Sequence, residues 1–383
     1  MNERFTLITK PLIMAFLLFV ITTSHPASGT SDKPLTLTKV GQIDTHGDAY
    51  DVWVDADKDI AYVTCGYQGA LILDVSNKTS PVELARVRSS FIAEHGWDGY
   101  AHQFSMHEDM MYVGDGIGGL KIINCSDPAN PEVITQFVDG YAWSARIVGN
   151  TAFIGHGYFD INGKLTAVNI TDPSNPVILK NCSTMGAASD VEVSGNLAFV
   201  ATSYAGFTVF DISNQSNPVE VGKWNGSSNN ALESGNLEIV GDLVYLSYWQ
   251  QGFKVLNVSD LENIEVVNEF NEYQGLFSVH VERDRNLAFL SDTELGLIVV
   301  DTSDLTQPVE LTRYSDGGKP CMVHVVGDLV YMTDQENGLI ILEIGESDTS
   351  TTVEDGSTTP GFELSLVILG VVSVFARRKK KVG

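Results

Sequence analysis

Four cysteines in 383 residues are too few for a disulfide-built scaffold. Cys65, Cys125, Cys182 and Cys321 also match no zinc-binding spacing. Outside its two ends the chain has almost no helical periodicity, so no Ser-His-Asp elbow, phosphate loop or dinucleotide fingerprint finds its strand–helix context. Basic residues are scarce: 23 Lys and Arg stand against 49 Asp and Glu, a formal charge of −26. Such a surface repels nucleic acid and anionic membranes, and it favours divalent cations, basic partners or plain solubility in salt. Long apolar runs are missing too. The two that exist, Leu12–Ile21 and Leu364–Ala376, are short for a membrane span of about 20 residues.

What is present is a repeat. In 188–224, Val191 and Val193 alternate with Asp190 and Glu192, which is strand periodicity. Gly195-Asn196 turns the chain into a second strand, Leu197–Ala201. A third strand, Phe207–Ile212, and a fourth, Val219–Trp224, are separated by Asn214–Pro218. The second-strand aromatic recurs as Tyr62, Tyr112, Phe153, Phe199, Tyr245, Phe289 and Tyr331. The polar residue ending the third strand recurs as Asp74, Asn124, Asn169, Asp211, Asn257, Asp301 and Glu343. The two columns are 12 residues apart in six copies and 16 in the third. A proline follows seven residues later as Pro81, Pro131, Pro176, Pro218 and Pro308, with Ile264 in its place in the fifth copy. A period of this length with four short strands predicts an all-β, seven-bladed β-propeller of four-stranded antiparallel blades. The seventh copy lacks a fourth strand. Leu35–Ile43, whose Val40-Gly41-Gln42 resembles Val221-Gly222-Lys223, is expected to supply it and close the ring.

The repeating unit resembles the LVIVD repeat family, whose name is nearly spelled by Leu71-Ile72-Leu73-Asp74 and by Leu297-Ile298-Val299-Val300-Asp301. The resemblance covers about residues 35–344 and implies the propeller architecture, in proteins mostly known as surface or secreted. It implies no reaction. The third copy departs through the longer segment Gly155–Lys164, and the fifth through Ile264.

Residues 1–30 carry Arg4 and Lys10, the apolar run, and small Ala27-Ser28-Gly29, the pattern of a secretory signal peptide, with a membrane anchor as the alternative. The propeller is expected over 35–346 and an acidic Ser/Thr linker over 347–359. Residues 360–383 open with Pro360-Gly361-Phe362, continue with the apolar run and end in basic Arg377–Lys381. This resembles the PGF-type carboxy-terminal sorting signals of archaeal surface proteins, which implies tail removal and attachment to lipid. A single-span anchor is the alternative. Either places the propeller outside, held at the cell surface by its C-terminus.

In an exported protein, the sequons at Asn77, Asn181, Asn214 and Asn225 are glycosylation candidates. Those at Asn124, Asn169 and Asn257 fall in the polar column, where turn formation competes. Cys65 and Cys321 would lie on one rim of neighbouring blades, as a disulfide across the closure or as buried free thiols. Asp55-Ala56-Asp57-Lys58-Asp59 looks like the start of a calcium loop, but it lacks the sixth-position glycine and sits where a hairpin turn is due.

Strand parity separates two rims. One carries tight turns such as Gly195-Asn196, Gly241-Asp242 and Gly327-Asp328. The other carries longer loops rich in His and aromatics, where recognition is expected: Trp97, His102, Trp143, Arg146 on the adjoining channel wall, Tyr158, Tyr204, Trp249 and Phe277. The innermost strands line the axis. Asp190, Glu192 and Glu238 on adjacent blades could hold calcium. His280 and His324 with Glu192 and Glu238 could form an acid–base or metal site, or the channel could be polar and water-filled with Arg146 paired to a carboxylate. Three functions follow: a surface binding or adhesion module for an envelope or extracellular protein or glycan, a propeller hydrolase or lyase, and a structural envelope subunit.

Overall fold

The computed structural model describes residues 34–89, 91–92, 97–158, 161–203, 206–226, 235–248 and 252–347. The signal segment, residues 348–359 of the linker and the tail 360–383 lie outside these.

Seven four-stranded antiparallel sheets form the propeller. Blade 1 comprises Asp51–Asp55, Ile60–Thr64, Ala70–Asp74 and Val82–Val87. Blades 2 to 6 repeat this order, with innermost strands Phe104–His107, Ala142–Val148, Ala188–Ser194, Leu237–Val240 and Leu276–Glu282. Blade 7 takes Pro320–Val326, Leu329–Asp334 and Gly338–Glu346 from the end of the chain and Leu35–Ile43 from its start. The predicted closure is therefore present, from Leu35 opposite Glu346 to Ile43 opposite Leu339. Blade 3 is longer because its second and third strands, Thr151–Tyr158 and Ile161–Asn169, extend through the insertion.

The recurring columns have distinct physical tasks. The second-strand aromatics are all buried, Tyr245 being the most exposed at 4%. They sit in seven apolar clusters, and each cluster joins two adjacent blades, including blade 7 to blade 1 through Tyr331, Leu339 and Val54. The polar column makes turns. Asp74, Asn124, Asn169, Asp211, Asn257 and Asp301 each accept the backbone N–H two residues on, at 2.8–2.9 Å. Just before them every third-to-fourth strand pair carries a β-bulge, and the closing strand carries its own between Lys39 and Gly41. Glycine opens the third strand or immediately precedes it in six blades, with φ between 73° and 93°. A Cβ there would strike a backbone carbonyl of the outermost strand, for example Phe270 O at 1.8 Å from Gly252, so the position needs glycine for both conformation and space. Asp55 accepts from the backbone N–H of Asp57 and Lys58, which makes 55–59 a hairpin turn.

Candidate functional site

The first site lies where blades meet the loop-rich rim. One repeat column, at or just before the start of each innermost strand and preceding Asp51, Gln103, Ser144, Asp190, Asn236, Ser278 and Met322, reads Tyr50, His102, Trp143, Ser189, Gly235, Phe277 and Cys321 from blade 1 to blade 7. In blades 3, 4, 6 and 7 this residue sits at a register shift, between Ala142 and Ser144, Ala188 and Asp190, Leu276 and Ser278, and Pro320 and Val323. A bulge re-aims the side chain it carries.

The carbonyls of this column are pinned across blade junctions. Thr333 Oγ1 donates to Tyr50 O at 2.9 Å, Thr64 Oγ1 donates to His102 O, and Ser247 Oγ donates to Phe277 O at 2.9 Å. The Gln103 N–H donates to Trp143 O at 3.1 Å. Tyr100 is fixed by its N–H to Asp115 O at 3.1 Å, and the Asp115 carboxylate lies 3.0 Å from the ammonium of buried Lys121.

The result is one connected set of rings. Tyr67 meets Tyr100 edge-on at 4.5 Å, Tyr100 meets Tyr50 at 5.5 Å, and Tyr50 reaches Phe277 of blade 6 at 6.1 Å. His102 lies 4.1 Å from Trp143, which lies 5.1 Å from Tyr141. Their polar ends are largely paired within the protein. Tyr50 and Tyr100 share a 3.1 Å hydroxyl contact, and Tyr100 Oη donates to Asp48 Oδ2 at 2.7 Å. His102 Nε2 meets Tyr141 Oη at 2.8 Å, and Trp143 Nε1 donates to Gly157 O at 2.5 Å. Burial lowers the His102 pKa to about 3 and raises that of Tyr50 to about 12, so both are neutral at ordinary pH.

Of the rim residues expected from sequence, the structure brings His102, Trp143 and Phe277 into this cluster. Tyr204 and Trp249 lie outside the described residues, and for Trp97 and Tyr158 only the backbone is described. Tyr50 and Asp48 were missed. Aligning the residue before Asp51 with Trp143 and Phe277 would have found Tyr50.

The second site is the axial channel, a cavity of about 320 Å³ lined by Asp51, Arg146, Glu192, Glu238 and His280 among others. Arg146 lines its wall and is paired to a carboxylate: its Nε donates to Glu192 Oε1 at 2.9 Å, and its Nη1 to Phe104 O at 3.2 Å. Asp190 does not face this cavity. It is fully buried, and its oxygens accept from Val191 N at 2.8 Å, Asn236 Nδ2 at 2.8 Å and Leu237 N at 3.1 Å. Asp51 makes the same link to Phe104 N at 3.1 Å. These carboxylates latch one blade to the next. Asp190, Glu192 and Glu238 are thus engaged by different protein partners, and no group of three or more His, Cys, Asp or Glu able to hold a metal occurs among the described residues.

His280 is clasped between Glu238, 3.3 Å from Nδ1, and Glu282, 3.2 Å from Nε2. Burial alone would lower its pKa, but the two carboxylates outweigh that and lift it to about 9. His324 accepts the Val54 N–H at 2.7 Å through Nδ1, and burial followed by the charge of His280 lowers it to about 4. The two histidines are therefore held differently, His280 between two carboxylates and His324 with Nδ1 occupied by a backbone N–H. The folded-state pKa of His280 lies above the unfolded value. Its stabilisation is therefore complete below about pH 6.5 and is lost as pH rises through about 9. In His280→Gln that loss should be absent. The variant is expected to be less stable at pH 6 by about 1–3 kcal/mol and to converge on the parent near pH 10, as read by urea unfolding.

Cys65 and Cys321 are both buried free thiols, with no disulfide across the closure. Their sulfurs point to separate carbonyls, Val63 O and Lys319 O, each at 3.9 Å. Of the sequons, Asn77, Asn181, Asn214 and Asn225 are exposed, while Asn124, Asn169 and Asn257 are half-buried turn-formers.

The LVIVD repeat model matches residues 46–89, 98–138, 139–184, 185–226, 285–316 and 317–359. The chain belongs to the LVIVD repeat family. The gap in the matches, 227–284, contains blade 5, the copy with Ile264 for proline. No curated protein matches this LVIVD chain. Among solved structures, the computationally designed Ika8 protein is similar in fold, with a TM-score of 0.55 at 10% identity over 80% of this chain and 99% of that one.

Proposed function

We propose that this LVIVD propeller is an exported, C-terminally anchored surface module that binds a glycan, protein or other envelope component through its aromatic rim. The observation that carries the reading is the continuous ring cluster from blades 1, 2, 3 and 6, with each aromatic of the repeat column pinned by a neighbouring blade. Rigid aromatics on a closed scaffold lose little entropy on contact, which suits them to recognition. The ring closes within 35–346, so residues 34–347 form a self-contained binding unit for panels of glycans and envelope peptides, with and without calcium. Trp143→Ala is expected to weaken any specific binding at least tenfold with the circular dichroism spectrum unchanged. Binding that survives both Trp143→Ala and Phe277→Ala would move recognition off this rim.

The surface location rests on the two terminal signals. Deleting residues 360–383 is expected to shift the full-length protein from the cell envelope to the medium in a fractionation blot. Retention of the truncated protein in the envelope would overturn C-terminal anchoring.

A further inference from the structure

We infer that the aromatic rim recognises an organic cation, a quaternary or methylated ammonium group, rather than a bare neutral sugar face. This rests on the rim being the binding surface and names the chemistry that it selects.

Three observations carry it. First, the rings are inclined to one another by 42° to 88° throughout the cluster. Among the described residues, stacked pairs such as Tyr245 with Phe253 at 22° and Trp53 with His324 at 15° lie outside this cluster. Rings inclined in this way offer no common plane, whereas a cation needs only an exposed ring face such as that of Tyr67, which is 57% exposed. A sugar ring needs one flat platform.

Second, the polar atoms are engaged within the protein. The hydroxyls of Tyr50 and Tyr100, the His102 Nε2 and the Trp143 Nε1 all have internal partners. A sugar is read by hydrogen bonds to its hydroxyls, and these pairings leave the rim little with which to make them. An alkylated ammonium needs none, since its carbons carry the charge to the ring faces.

Third, the charge is of the right sign. No Lys or Arg belongs to the ring cluster, and exposed Asp48 stands at its edge as hydrogen-bond acceptor of Tyr100. His102, the one basic member, is buried and neutral. The whole chain adds its formal −26, which draws cations to the mouth.

Calorimetric titration of residues 34–347 with choline and tetramethylammonium tests this against 3,3-dimethylbutan-1-ol, the neutral isostere of choline, and against a neutral oligosaccharide. Both cations are expected to bind at least tenfold more tightly than the isostere. Asp48→Asn should weaken cation binding about threefold to tenfold, Trp143→Ala should abolish it, and salt should weaken it further. Equal affinity for choline and its neutral isostere, or no binding of either cation, overturns the inference. A neutral glycan or a peptide without alkylated amines that binds in a Trp143-dependent manner would leave the rim as the recognition surface and overturn only the ligand class.

Discussion

Removing Leu35–Ile43 is expected to destroy the folded monomer. This short strand is the outermost member of blade 7, yet it touches two junctions. Leu35 and Leu37 pack on the cluster between blades 6 and 7, and Val40 and Ile43 on the cluster between blades 7 and 1. A fully buried aliphatic side chain contributes about 1.5–3 kcal/mol. These four are partly buried, so together they contribute about 4–6 kcal/mol. That is comparable with the whole net stability of a typical domain, about 5–15 kcal/mol. Deletion also bares the backbone edge of Gly338–Glu346, which includes the apolar run Leu339–Leu342, a template for pairing with another chain. Size-exclusion chromatography should show aggregate in place of monomer. A permuted chain carrying Leu35–Ile43 after Glu346, joined by an Asp-Pro-x-Asn-Pro turn like those of blades 2 and 3, should recover the monomer and most of the melting temperature. A monomeric deletion variant with unchanged melting would show that the strand is not what seals the ring.

The closure was legible because it rests on a local device. The bulge at Val40 repeats the bulge at Val221, and both follow from the same Val-Gly pattern opposite a third strand. The blade number, the buried aromatic column and the turn-forming Asp and Asn were legible for a similar reason: each is a local rule applied at a fixed offset. Asp190 was misplaced because alternation gives it the same face as Glu192, and the structure sends it elsewhere. The register shift at Ser189 alters the strand just before it, and two donors of blade 5, Leu237 N and Asn236 Nδ2, capture the carboxylate. That capture depends on a residue 46 positions away, which strand periodicity does not encode. Tyr50 was hidden in the opposite way. It lies just outside its strand, and only the neighbouring copies reveal its column.

Arg146→Met is expected to be the most damaging single change in the channel. The guanidinium stands among Glu192, Asp190 and Asp51, holding Glu192 through two nitrogens. Burial would lower its pKa, but these three carboxylates more than offset that and hold it above its ordinary value. Burial raises Asp51 to about 6 and Asp190 to about 7 even with Arg146 opposing it. Without the cation both rise further and Glu192 loses its partner. Breaking one side of a buried pair typically costs about 3–5 kcal/mol. About a fifth of the Arg146 side chain reaches channel water, so about 2–4 kcal/mol is expected at pH 8. The sign of the pH dependence follows from the raised carboxyl pKa values. The folded variant binds more protons than the unfolded chain, so its stability climbs as pH falls from 8 toward 5. Chemical denaturation should therefore show the defect shrinking by half or more at pH 5. Arg146→Met combined with Glu192→Gln should be more stable at pH 8 than Arg146→Met alone, because the pair is then removed on both sides. A defect of equal size at both pH values, with no recovery in the double variant, would mean that Arg146 acts through packing of its stem and not as the counterion shared by channel-facing Asp51 and Glu192 and buried Asp190.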